Sequence, residues 1–249
     1  MSKLLLTIRY DGTRFHGWQV QPNGITVQET LQDAVEQITG IRSDLTGCSR
    51  TDAGVHARRF YCTTALPQKQ TPEAFCKALN AVLPPDVAVL SARCVSDEFH
   101  PRYSAMGKRY CYRIWNGAVR DPFERPYSLH IRTPLDERHM NETAQLFLGT
   151  HDFSAFCSAG GSVQDKVRTI TRSEVTRQGD VVAYTVEANG FLYNMVRILV
   201  GTLLDVEYGK LTVADIRRAL QEGDRQAAGI TVSPQGLFLD DVWYSEDAL

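Results

Sequence analysis

The sequence predicts an α+β fold: two similar α/β halves that share a continuous mixed or antiparallel sheet with flanking helices. Three observations predict it. Strand-like and helix-like runs alternate irregularly along the 249 residues, which fits α+β better than a regular βαβ array. The order strand, helix, strand, helix occurs in each half, although no sequence repeat is detectable. No low-complexity linker separates the halves, which meet near residues 100–108, so a shared sheet or a tight interface is expected. The boundary is placed at residue 105, giving an N-terminal half 1–105 and a C-terminal half 106–249.

The elements follow in order. Lys3–Tyr10 reads as the first strand. "TVQETLQDAVEQITG" opens with Thr26 and has Glu29 three residues on, the pattern of a capping box. Val27, Leu31, Ala34, Val35 and Ile38 then recur at helical spacing, and Gly40 closes the run. Phe60–Ala65 is the second strand. "TPEAFCKALNAVLP" has Thr71 as cap, Pro72 in the first turn, and Phe75, Leu79 and Val82 on one face. Lys108–Trp115 is a strand, and "LDERHMNETAQLFLG" a helix capped by Asp136. Strands at Thr169–Gln178 and Val181–Ala188 precede a helix from Phe191 to about Leu204 that is apolar nearly all round, and so should be buried. "TVADIRRALQEG", capped by Thr212, and a last strand Leu237–Tyr244 complete the set.

Hydrophobic residues make up 43% and charged residues 22%, enough to build a sizeable core. The apolar run in "MSKLLLTIRYDG" is too short for a signal peptide. The longest apolar stretch, "GFLYNMVRILVGTLL", is broken by Asn194 and Arg197 and falls short of the ~20 residues of a spanning helix. A soluble protein of the cytoplasm is expected, with no membrane partner. The six cysteines show no C-x-x-C spacing, and none pairs with a histidine in a zinc pattern. They read as reduced packing residues, and no metal is implied.

Net charge is −2, which speaks against nucleic acid as a partner, but the distribution speaks for it. Seven basic residues (Arg102, Lys108, Arg109, Arg113, Arg120, Arg125, Arg132) lie between Phe99 and Arg132, opposed by Asp121 and Glu124. From Asp205 onward nine acids face four bases. A basic stretch interleaved with Tyr103, Tyr110, Tyr112 and Trp115 is either an electrostatic footprint for RNA or a solvated strand face.

Three residues raise the chemistry. In "GCSRTDAGVHARR", Asp52 precedes Ala53 and Gly54, which alone describes a turn. Arg197 sits among Met195, Val196, Ile198 and Leu199. A guanidinium keeps its charge, so Arg197 either reaches solvent off the helix end or meets a carboxylate. The apolar surroundings favour the carboxylate, and Asp52 on its glycine-containing loop is the candidate. Such a pairing would lower an Asp pKa by ~1–3 units and keep it ionised. In "KRYCYRI" Tyr110, Tyr112 and Ile114 share a strand face, suited either to stacking on bases or to a place in the core.

"RYDGTRFHGWQVQP", "SRTDAGVHA", "RYSAMGKRYCYRI", "GTHDFSAF", "GFLYNMVRILVGTLL" and "SPQGLFLDDVWY" occur in this order. Together they resemble the tRNA pseudouridine synthases of the TruA type over essentially the whole chain. After His56 many relatives continue with a Gly-Gln-hydrophobic segment, where this chain reads "ARRFYCTT". The resemblance implies a catalytic set of Asp52, with Arg197 paired to it and Tyr110 against the target base. It implies that Arg50 holds the target nucleotide out of its stem and that Leu237 closes the pocket floor. Arg58, Arg59 and Arg102, with the basic stretch 102–125, are the expected phosphate contacts. It further implies tRNA as partner, the 3′ side of the anticodon stem-loop as target, and a homodimer with a central RNA-binding cleft.

Isomerising uridine breaks the N1–C1′ bond and joins C5 to C1′, with no redox step and no incoming group. No cofactor is therefore expected, and no Walker A or G-x-G-x-x-G motif occurs. One ionised carboxylate can start the reaction, either by attacking C1′ or by removing a proton beside it to give a glycal. Two rival readings remain at this level: a glycosyl or nucleoside hydrolase using Asp52, and a non-catalytic RNA-binding protein. Hydrolases of that kind generally use two carboxylates, and Asp152 in "HDF" is the other carboxylate in a notable motif.

Overall fold

The computed structural model describes residues 3–65, 70–161 and 163–246. In chain order its main elements are β1 (Lys3–Tyr10), α1 (Val27–Thr39), β2 (Thr46–Gly47), β3 (His56–Ala65), α2 (Pro72–Val82), β4 (Val87–Val95) and β5 (Ala105–Trp115). There follow β6 (Leu129–His130), α3 (Glu137–Ala144), β7 (Gly149–Asp152), β8 (Val167–Gln178), β9 (Val181–Ala188), α4 (Met195–Glu207), α5 (Val213–Glu222) and β10 (Leu237–Tyr244). The fold is α+β with mostly antiparallel strands, as the irregular alternation predicts. The chain divides into two compact units, one of Met1–Met106 with Phe238–Leu249 and one of Gly107–Leu237. The second unit is therefore an insertion in the first. A single cut at residue 105 assigns 238–249 to the second half, whereas the backbone returns that segment to the first.

In the first unit the strand order is β4-β1-β3-β10. β1 is antiparallel to both neighbours, with Leu5 opposite Thr63 on β3 and Arg93 on β4. Leu4, Leu5, Leu6 and Ile8 are all buried, as a strand covered on both faces requires. β10 runs parallel to β3, pairing Phe238 with His56 and Leu239 with Ala57. Thr26 caps α1 by accepting from the Glu29 N–H at 3.3 Å, and Gly40 ends the helix at φ 73°. Thr71 caps α2 in the same way, with Pro72 in the first turn.

In the second unit β5, β9, β8 and β7 form an antiparallel run, with Tyr112 opposite Tyr184 and Val175 opposite Tyr184 from the other side. β9 alternates strictly, its buried residues being Val182, Tyr184, Val186 and Ala188. The expected cap residues of α3 and α5, Asp136 and Thr212, both accept from first-turn N–H groups. The two-way capping box closes at Thr212–Asp215. α4 is buried nearly all round, as its composition predicts. It starts at Met195 rather than Phe191, because Asn194 takes a left-handed backbone at φ 61° and cannot lie inside a helix. All six cysteines are free thiols, and burial pushes the Cys62 thiol well above its ordinary range.

Candidate active site

Asp52 stands at the head of a tight turn: its carbonyl accepts from Val55 N–H at 3.2 Å, and Gly54 takes φ 78°. The turn reading of D-A-G is thus correct as far as it goes. The loop around it is fixed by residues 10–18. Trp18 N–H donates to the Thr51 carbonyl at 3.1 Å, and Gly54 N–H to the Phe15 carbonyl at 3.1 Å. Tyr10 Oη and Thr51 Oγ1 lie 2.9 Å apart, and Gly12 N–H donates to His56 Nδ1 at 3.0 Å. Each such bond is worth about 1 kcal/mol net, and together they hold the loop in one conformation. Asp52 itself is only half-buried.

Two glycines make this clamp possible. A Cβ on Gly12 would lie 2.0 Å from the Val55 carbonyl oxygen. Gly17, at φ 85°, would place a Cβ 2.4 Å from the Thr51 oxygen. Gly17→Ala should therefore destabilise the protein by about 2 kcal/mol and lower turnover, read from the urea midpoint and the initial rate. A parental midpoint would show that the loop yields. The sequence contained a signal for this clamp in the glycines of "RYDGTRFHGWQ", but the bonds from Trp18 and to Phe15 run backbone to backbone and leave no side-chain signature.

Beyond the loop, Arg50 is exposed. The next two cations project from β3 and meet acids on β10: Arg58 with Asp240 at 2.8 Å and Arg59 with Asp241 at 3.6 Å. Arg58 also lies over the Phe238 ring at 4.8 Å, and that ring stacks on His56 at 4.6 Å. Both ion pairs are largely exposed and so contribute little, about 0–1 kcal/mol each. Arg102 lies 5.8 Å from the centre of the exposed Tyr103 ring. His100 Nδ1 accepts from the N–H groups of Arg102 and Tyr103. Burial, then the Lys3 and Arg102 cations, push the His100 pKa down, which keeps Nδ1 available as an acceptor.

The second unit carries the other candidates. Tyr110 on β5 is buried and packs edge-on against Phe191, ring centres 4.9 Å apart. Tyr112, which shares its face, is a core residue: it is fully buried and its hydroxyl donates to the Ser233 carbonyl at 2.7 Å. Burial pushes that phenol's pKa up, so it stays protonated. The stacking reading thus fails for Tyr112. Leu237 is buried at the start of β10.

The basic stretch is divided in use. Lys108 is buried, Arg109 pairs with Glu187 at 2.7 Å, and Arg113 pairs with Glu124 at 2.8 Å. Arg120, Arg125 and Arg132 are exposed. The footprint that composition drew across the whole stretch narrows to these and Arg102.

Arg197 lies in the first turn of α4 and is half-buried. Its Nε donates to the Val232 carbonyl at 2.7 Å and its Nη1 to Asn194 Oδ1 at 2.8 Å. These bonds fix the plane of the guanidinium. Asp152 has a structural role: its Oδ1 accepts from Ser154 N–H at 2.8 Å and from Ser154 Oγ, closing a turn. Among the described residues no group of three or more His, Cys, Asp or Glu could hold a metal ion, and no helix is long and apolar enough to cross a membrane.

The chain matches the family model described as tRNA pseudouridine synthase over residues 6–104 and 143–245. It is 45% identical over 248 residues to tRNA pseudouridine synthase A of Thermoanaerobacter sp. (strain X514), covering 98% of this chain and 100% of that one. It is 42% identical over 244 residues to tRNA pseudouridine synthase A 2 of Clostridium perfringens, with 98% and 100% covered. tRNA pseudouridine synthase A of Acetivibrio thermocellus is 42% identical over 248 residues, with the same coverage. The strings around Asp52 and Arg197 fall inside the matched segments, and Tyr110 falls between them. On this evidence the chain belongs to the tRNA pseudouridine synthase family, and it is an isomerase that acts on tRNA.

Proposed function

We propose that the protein converts uridine to pseudouridine on the 3′ side of the anticodon stem-loop, with Asp52 as the catalytic carboxylate. The observation that carries this reading is the clamped turn: Asp52 is held half-exposed on a loop whose neighbours Thr51, Gly54 and Val55 are each bonded in place. A carboxylate so held can be aimed at one sugar carbon without reorganising when the substrate arrives.

In the proposed reaction the N1–C1′ bond breaks and the uracil turns. C5 then bonds to C1′, the C5 proton leaves, and N1 takes up a proton. Arg197 pairs with Asp52, keeps it ionised and sets its direction. Tyr110 lies against the base and assists proton transfer, and Leu237 closes the pocket floor against water, which would otherwise trap the opened sugar. The target must leave its stack to be reached, and Arg50 in its place offsets part of the few kcal/mol of unstacking. Arg58, Arg59 and Arg102 contact phosphates. For Arg58 and Arg59 a phosphate competes with Asp240 and Asp241, whose exposed pairs are weak enough to exchange. The working state is a homodimer in the cytoplasm whose cleft receives the tRNA; light scattering at micromolar concentration tests the dimer.

The decisive assay is product identity. With tRNA carrying tritium on uracil C5, the tritium is expected in water with no free base, whereas free uracil would mean a hydrolase. Binding should weaken steeply with salt, and Arg102→Ala should lower the slope of log K against log salt by about one. An unchanged slope would remove Arg102 from the phosphate contacts.

A further inference from the structure

Arg197 can serve a carboxylate only if its guanidinium points one way, and the first turn of α4 shows what points it. Asn194 is the sole non-glycine among the described residues with a positive φ, at 61°. An L residue there carries strain, which asparagine tolerates better than most. Ordinary N-cap residues take extended backbone and accept from an N–H of the first turn. Asn194 does neither: its side chain makes no cap bond.

The amide is used elsewhere. Oδ1 accepts from Arg197 Nη1 at 2.8 Å, and Nδ2 donates to Ser158 Oγ at 2.9 Å. Ser158 is in turn bound through its own N–H to the Tyr193 carbonyl at 3.1 Å. On the adjacent donor, Nε meets the Val232 carbonyl at 2.7 Å, and Val232 N–H reaches back to the Arg197 carbonyl at 3.4 Å. Val232 lies just beyond Gly229, whose N–H donates to Thr202 Oγ1 of α4 at 2.8 Å, so this carbonyl is anchored to the same helix. The Val232 carbonyl and the Asn194 amide thus both grip the guanidinium. One grip is backbone; the other needs a short side chain with a donor and an acceptor on one planar group.

We propose that Asn194, backed by Ser158, is a positioning residue of the synthase site, holding the Arg197 guanidinium in the orientation that the catalytic carboxylate requires. The left-handed backbone at 194 is what brings the amide beneath the guanidinium. This inference rests on the proposed pairing of Arg197 with Asp52.

The test uses Asn194→Gly, because glycine adopts φ 61° without strain and removes only the amide. The expected result is a kcat about 10-fold or more below parental, with KM and tRNA affinity within about twofold. Ser158→Ala keeps the backbone and should lower kcat about threefold in the same direction, which covers the case in which the glycine variant fails to fold. In an Arg197→Lys background, itself impaired because lysine lacks the planar fork, Asn194→Gly should add little further loss. A parental kcat in Asn194→Gly, or equal losses from it in both backgrounds, overturns the positioning role while leaving Arg197 in place. Parental turnover in Arg197→Lys would likewise overturn the positioning role, and parental turnover in Arg197→Met would overturn the proposed pairing itself, and this inference with it.

Discussion

Asp52→Asn is expected to lower turnover by about 10³-fold or more while tRNA still binds with near-parental affinity. Asparagine has nearly the same volume and is equally at home at the head of a turn. Bonds through the Asp52 carbonyl and through the neighbours Thr51 and Gly54 hold the loop, and asparagine keeps all of them. What is lost is the negative charge that is proposed either to attack C1′ or to remove the proton beside it. An amide can do neither. Release of the C5 hydrogen measures turnover, and filter binding measures affinity. Pseudouridine formation near the parental rate would end the assignment of Asp52. Loss of binding together with turnover would mean that the substitution disturbed more than the charge.

Arg197→Met should cost about 10²–10³-fold in turnover and about 1–3 kcal/mol in stability. Methionine matches much of the stem and suits a helix, so α4 should persist. Both losses have the same origin. The Val232 carbonyl and Asn194 Oδ1 each lose the donor they accept from in the half-buried first turn of α4. The carboxylate that Arg197 is proposed to serve loses the charge that keeps it ionised and aimed. The stability loss is read from urea unfolding, and the turnover loss from the same C5 assay under conditions where the variant is fully folded. A variant that unfolds earlier yet turns over normally would give Arg197 a structural role alone.

Much of the fold is legible in the chain because local signals agree. Thr71 with Pro72, and Thr212 with Asp215, mark helix starts through bonds made within three residues, so no tertiary knowledge is needed. β4 is missed because it lies at the end of its sheet, and only Val87 and Val89 are buried within it. The start of β3 is hidden by Arg58 and Arg59, whose acids lie on β10 at the far end of the sequence. At the candidate site, Asp52 and Arg197 are legible as a lone acid on a glycine turn and a charge in an apolar helix. The grip on each is not. It runs through backbone groups of residues 15, 18 and 232, and through an asparagine whose importance lies in its φ angle. Lys108, Arg109 and Arg113 show the converse: a charge run reads as a surface until long-range partners such as Glu187 are placed against it.

The return of β10 to β3 has a kinetic consequence. Arg58 and Asp240 are separated by 182 positions, and the whole inserted unit must be translated before they can meet. The nascent N-terminal segment therefore waits on the ribosome with the start of β3, at His56 and Ala57, lacking its β10 partner and His56 without the Phe238 ring. A fragment ending at Met106 should consequently aggregate or recruit chaperones, and adding back a peptide of residues 237–246 in trans should reduce that tendency.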